Sequence, residues 1–86
     1  MNAAPLAITT HQGEPPPLVA LHGFTLTGAM FYELANHLNR SIIAPDLPGH
    51  GDSADRPSTM DAAVAGVATI MSALTGPTPL VGYSMG

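Results

Sequence analysis

The sequence predicts an α/β fold, a parallel sheet with helices on both faces. Three observations carry this. Short, continuous apolar runs end in loops rich in glycine and proline. Two stretches between them repeat apolar residues at helical spacing. The two kinds of segment alternate as strand, helix, strand, helix, strand, an order that calls for right-handed crossovers between parallel neighbours.

Taken in order, Leu6 to Thr10 reads as a short extended segment, with Ile8 and the threonines favouring it. His11-Gln12-Gly13-Glu14 reads as a turn that leaves His11 exposed, and Pro15-Pro16-Pro17 as a stiff, extended approach. Leu18-Val19-Ala20-Leu21 is a run bounded by proline and glycine, as expected of a strand buried on both faces. Thr25 or Thr27 caps the next helix, predicted over Ala29 to Asn39, with Phe31, Leu34 and Leu38 on its inner face and Met30 at the margin. Ser41-Ile42-Ile43-Ala44 is the second buried strand, and it runs into the turn-rich loop from Pro45 to Pro57. Ser58 with Asp61 forms a capping-box-like start to a second helix. There Met60, Val64, Val67, Met71 and Leu74 recur at steps of 4, 3, 4 and 3, a stripe that reads as core packing. Gly76-Pro77 stops that helix, and Leu80-Val81 is the third strand.

Composition narrows the function classes. The 86 residues are 45% hydrophobic and only 9% charged, which suits a piece of a larger core better than a small free-standing domain. The net charge of -4 arises from 6 acids against Arg40 and Arg56, so no basic patch exists and nucleic acid is not an expected partner. Without cysteine, neither a disulfide framework nor a thiolate metal site can form. Met1-Asn2-Ala3-Ala4-Pro5 lacks the charge and the apolar run of a signal peptide, and no stretch is long enough to span a membrane. A cytoplasmic location and no membrane partner are the expectations.

The chemistry concentrates at Gly82-Tyr83-Ser84-Met85-Gly86, which reads G-x-S-x-G directly after an apolar strand. Such a segment forms a nucleophile elbow, a sharp strand-to-helix turn that raises the serine hydroxyl above the sheet edge. A side chain two residues before or after the serine would clash there, which accounts for Gly82 and Gly86. Ser84 is therefore the candidate catalytic residue. Acyl chemistry also needs backbone N–H groups aimed at the developing oxyanion. The N–H of Met85 is one candidate, and that of Phe24, in the loop after the first buried strand, is the other; the Phe24 ring can also serve as a lid over the core. His22 and His50, in tight glycine loops, read as structural, and Asp46 and Asp52 as partners of their own loop's backbone. A metal between His50 and Asp52 is the alternative, although two ligands do not make a site. No metal and no cofactor are expected.

Leu21-His22-Gly23-Phe24, Asp46-Leu47-Pro48-Gly49-His50-Gly51-Asp52-Ser53 and Gly82-Tyr83-Ser84-Met85-Gly86 together resemble the α/β-hydrolase superfamily from about Leu18 onward. Within it they look most like the 2-succinyl-6-hydroxy-2,4-cyclohexadiene-1-carboxylate synthase branch of menaquinone biosynthesis. Carboxylesterases and lactonases share near variants. The resemblance implies a Ser-His-Asp triad with Ser84 as its serine, Phe24 and Met85 as oxyanion-hole donors, and Tyr83 against a small-molecule carboxylate or ester substrate. In this family the acid and histidine follow the serine in the chain, whereas all four histidines here precede Ser84. The expectation is a partial α/β-hydrolase fold, one N-terminal part of a single domain over 1–86, truncated at the nucleophile elbow.

Three readings of function follow: a lyase that eliminates pyruvate, a serine hydrolase of carboxylic esters or thioesters, and a truncated chain that is inactive and prone to aggregate. The first two share Ser84 and the oxyanion hole.

Overall fold

The computed structural model describes residues 6–23, 26–55, 58–74 and 78–83. Among these residues four strands form one sheet: β1 (Ile8–His11), β2 (Glu14–Leu21), β3 (Arg40–Pro45) and β4 (Leu80–Gly82), in the spatial order β1-β3-β2-β4. Two α-helices, α1 (Tyr32–Leu38) and α2 (Met60–Ser72), fill the two crossovers. The three strands read as parallel from the sequence are parallel: β2 pairs with β3 on one side and β4 on the other.

The first strand departs from the all-parallel expectation, because β1 runs antiparallel to β3. Only Gln12 and Gly13 separate β1 from β2. A parallel connection needs a dozen or more residues, so a link this short forces β1 to run opposite to β2, and hence antiparallel to β3, which lies between them. The proline triplet lies inside β2, where the β2–β3 register shifts between Glu14 and Leu18. Proline cannot donate to a ladder, and β4 begins its pairing only at Val19, so those residues are not needed as donors on that side.

Side-chain alternation along the strands sorts the two faces. On one, Leu18, Ala20, Ile42 and Ala44 pack with Phe31 and Ala35 to make the buried core. The sequence places Phe31, Leu34 and Leu38 on the inner face, yet Leu34 and Leu38 are exposed and the buried residues are Gly28, Phe31 and Ala35. The cause is the entry turn. Residues Gly28–Phe31 form a 3-10 turn at three residues per turn before the α-helix begins, which rotates the inward face. Gly28 makes this possible, since any Cβ there would collide with the Ala44 carbonyl. Thr27 caps the turn by accepting from the Ala29 N–H at 3.3 Å, and Asn39 ends α1 in the left-handed region at φ 50°.

The opposite face carries Leu21 and Leu80, with α2 over it. The cap of α2 is Thr59, accepting from the Ala62 N–H at 3.1 Å, not Ser58. Its apolar stripe is also less buried than the sequence suggests. Gly66 is buried, Val67, Met71 and Leu74 are half-buried, and Met60 and Val64 are 78% and 59% exposed. Met60, Val64 and Val67 line the wall of an open groove of about 650 Å³ that also includes Leu21, Leu47 and Leu80. The predicted helix stop at Gly76-Pro77 lies outside the described residues.

Candidate active site

The two motif-bearing loops leave the sheet side by side. β2 and β4 are parallel neighbours in the register Val19↔Leu80, Ala20↔Val81 and Leu21↔Gly82. One residue further, the Tyr83 N–H donates to the Leu21 carbonyl at 3.0 Å. The H-G-F segment therefore starts at the end of β2 while the G-x-S-x-G segment starts alongside it at the end of β4. In parallel α/β sheets the ends of adjacent strands form the crevice where ligands bind. Tyr83, exposed at this end, is the one sequence-predicted site residue within the described part. Ser84, Met85 and Phe24 lie outside the described residues, as do Thr25 and Gly86.

Beneath this end lies a hydrogen-bonded network among the loops after β2 and β3. His22 is fully buried. Its Nε2 accepts from the Leu47 N–H at 2.9 Å, and its Nδ1 sits 2.8 Å from the Gly23 carbonyl. An amide can only donate and a carbonyl can only accept, so the Nδ1–H tautomer satisfies both contacts. The Gly23 carbonyl also accepts from the Leu26 N–H at 3.1 Å. His50 stacks obliquely on His22, with ring centroids 5.0 Å apart, and donates from Nδ1 to the Pro48 carbonyl at 3.1 Å.

Asp46 is the second anchor. Its Oδ2 accepts from the Asp52 N–H at 3.0 Å, within its own loop as the sequence leads one to expect. Its Oδ1 accepts from the Gly28 N–H at 2.7 Å, a bond to a different loop that no local pattern announces. The loop must curl tightly to close on this carboxylate. Gly51 does so at φ 49°, where a Cβ would press on Asp46. Ser53 is buried and accepts from the Ala7 N–H at 3.0 Å, which ties the same loop to the segment before β1.

His11 corrects a sequence expectation. It is 7% exposed rather than open to solvent, and its Nε2 donates to the Gly28 carbonyl at 2.9 Å. Strand alternation turns it under the α1 entry turn, a long-range packing that a local turn reading does not capture. Among the described residues no cluster of three or more His, Asp or Glu is placed to hold a metal. No buried side-chain nitrogen or oxygen among them lacks a hydrogen-bond partner.

A sheet of this order, with a G-x-S-x-G segment following a strand that runs parallel to its neighbour, defines an α/β-hydrolase-type domain. The profile of the alpha/beta hydrolase family matches residues 18–86, and the chain belongs to that family. It is 40% identical over 75 residues to lipase LipV of Mycobacterium tuberculosis (strain ATCC 25618 / H37Rv), covering 84% of this chain and 29% of that protein. It is 38% identical over 76 residues to the pimeloyl-[acyl-carrier protein] methyl ester esterase of Xanthomonas campestris pv. campestris (strain B100), with 86% and 29% covered. Among solved structures, an alpha/beta hydrolase from Sphaerobacter thermophilus DSM 20745 superposes with a TM-score of 0.71 at 28% identity, over 94% of this chain and 35% of that one. The chain thus spans 29% of the length of these curated relatives.

Proposed function

We propose that the protein is a serine hydrolase of carboxylic esters. The observation that carries this reading is the pairing of β2 with β4, which starts the H-G-F and G-x-S-x-G segments from adjacent strand ends. The similarity to a lipase and to a methyl ester esterase supports an ester as the substrate class. Ser84 attacks the acyl carbon, and a general base takes its proton. The Phe24 and Met85 N–H groups hold the oxyanion, and the returned proton leaves with the alcohol. Water then releases the acid by the same route. Tyr83 lies against the substrate. In the family's chain order the base follows Ser84, so it is none of His11, His22, His37 and His50. A cytoplasmic location belongs to this reading. Among the described residues no helix is long and apolar enough to cross a membrane.

The pyruvate-eliminating lyase of menaquinone biosynthesis is the second reading, favoured by the wording of the three motifs. It uses the same serine in proton abstraction and needs no acyl-enzyme. The test is to purify the polypeptide encoded by the whole open reading frame and to assay short p-nitrophenyl esters, pyruvate release and fluorophosphonate labelling. Ester cleavage and labelling that vanish in Ser84→Ala are expected. Pyruvate release without ester cleavage would favour the lyase, and a folded protein that neither labels nor turns over either substrate refutes both.

A further inference from the structure

We propose that the segment just before β1 is a strap that holds α2 on the sheet, and that α2 opens as a separate unit when the strap lets go. The grip is one side chain. Leu6 is buried, and it lies so close to the α2 backbone that a Cβ on Gly66 would sit 2.6 Å from one of its methyl groups. Glycine in mid-helix weakens a helix; here it makes the socket that the leucine fills. Gly66 is also the one buried residue of α2, whose other apolar side chains are half-buried or exposed.

The other end of the strap is fixed. Ala7, next in the chain, donates its N–H to Ser53 Oγ at 3.0 Å, and its carbonyl accepts from the Asp46 N–H at 2.8 Å. Ile8 then enters the ladder opposite Pro45. Ser53 is fully buried and Asp46 is anchored to Gly28 and Asp52, so both are firm supports. Three consecutive residues thus join the helix, the loop after β3 and the sheet. The helix needs this support. Its 13 residues include valines, a threonine, an isoleucine and a glycine, all weaker helix formers than alanine, and an isolated helix of this length is marginal in water. Beneath it the open groove is lined by Met60, Val64 and Val67 on the helix and by Leu21 and Leu80 on the sheet, so the sheet supplies little packing in place of Leu6. An element with few buried contacts and one anchor is where local opening begins. Once detached, α2 loses its helical hydrogen bonds and its amides exchange with solvent.

Amide hydrogen exchange in the polypeptide of the whole open reading frame tests this, read by mass spectrometry on peptides from α2 and from β2 and β3. In wild type, α2 should exchange faster than β2 and β3. Leu6→Ala should speed exchange across α2 by roughly 30-fold or more, which corresponds to the low end of the cost of emptying a buried leucine site. Leu18→Ala, which empties part of the core on the other face of the sheet, is the control. It should speed β2 and β3 to a similar degree and leave α2 within about threefold of wild type, because opening α2 alone keeps the Leu18 packing intact. Leu6→Val and Leu18→Val, smaller deletions, ask the same question if either alanine variant fails to fold. Exchange of α2 that is unchanged on shortening Leu6 would show that Leu6 does not hold the helix. Equal rates for α2 and the sheet in wild type, or equal acceleration of both on shortening Leu18, would show that the helix opens only with the whole domain. Each of these results overturns the proposal.

Discussion

Replacing Asp46 tests the framework beneath the site. Both carboxylate oxygens accept from backbone N–H groups, Oδ1 from Gly28 at 2.7 Å and Oδ2 from Asp52 at 3.0 Å. Hydrogen bonds to a charged acceptor contribute about 1.5–3 kcal/mol each. Asp46→Ala removes both and leaves the buried Gly28 N–H without a partner, for an expected loss of roughly 3–5 kcal/mol. Asp46→Asn has the same shape but a single carbonyl oxygen. Whichever way the amide is turned, its NH₂ faces one of the two N–H donors, so one bond survives and the expected loss is about 1.5–3 kcal/mol. Small domains have urea m-values of about 1–3 kcal/mol/M, so the Asn variant should lower the unfolding midpoint by on the order of 1 M, and the Ala variant by more. Urea titration followed by circular dichroism measures this. Amide hydrogen exchange adds a local check: either Gly28 or Asp52, but not both, should lose protection beyond the global change in Asp46→Asn. An Asn variant within about 0.5 kcal/mol of wild type, the range of ordinary surface substitutions, would refute the claim that both oxygens act as acceptors.

Three further substitutions probe the packing. Gly28→Ala drives a methyl group into the Ala44 backbone carbonyl and should destabilise by about 1–3 kcal/mol, read by the same urea titration. Gly66→Ala places a Cβ 2.6 Å from a Leu6 methyl, so in wild type its steric cost opposes the gain in helix propensity, about 1 kcal/mol. In a Leu6→Ala background the same change should become stabilising, and a double-mutant cycle that shows simple additivity would reject the contact. Met60→Glu with Val64→Glu, on the open groove, should alter stability by no more than about 0.5 kcal/mol each while reducing self-association of the 86-residue chain in sedimentation velocity. The exposed apolar wall and β4, which has a partner on only one side among the described residues, are the physical basis for expecting that association.

The sequence by itself determined the alternation of strands and helices and the three parallel strands. These follow from local chemistry: apolar runs too short for helices, apolar residues at helical spacing, and glycine and proline at the breaks. It also placed Gly82-Tyr83-Ser84-Met85-Gly86 after a strand, and so pointed to the family to which the chain belongs. The menaquinone-lyase reading drew on the wording of loops that ester hydrolases share, and the relatives found are a lipase and an esterase.

Tertiary structure decided what local pattern cannot encode. The direction of β1 depends on the length of a two-residue link between it and β2, which matters only once β3 has inserted between them. The inward face of α1 depends on the close approach of Gly28 to Ala44, residues far apart in the chain. The bond of His11 to Gly28, the reach of Asp46 to Gly28 and the bridge from His22 to Leu47 all join segments far apart in the chain that the sheet brings together. A residue's own neighbours in sequence fix its backbone preference. Which polar groups it must satisfy once water is excluded is fixed by whatever the fold places beside it.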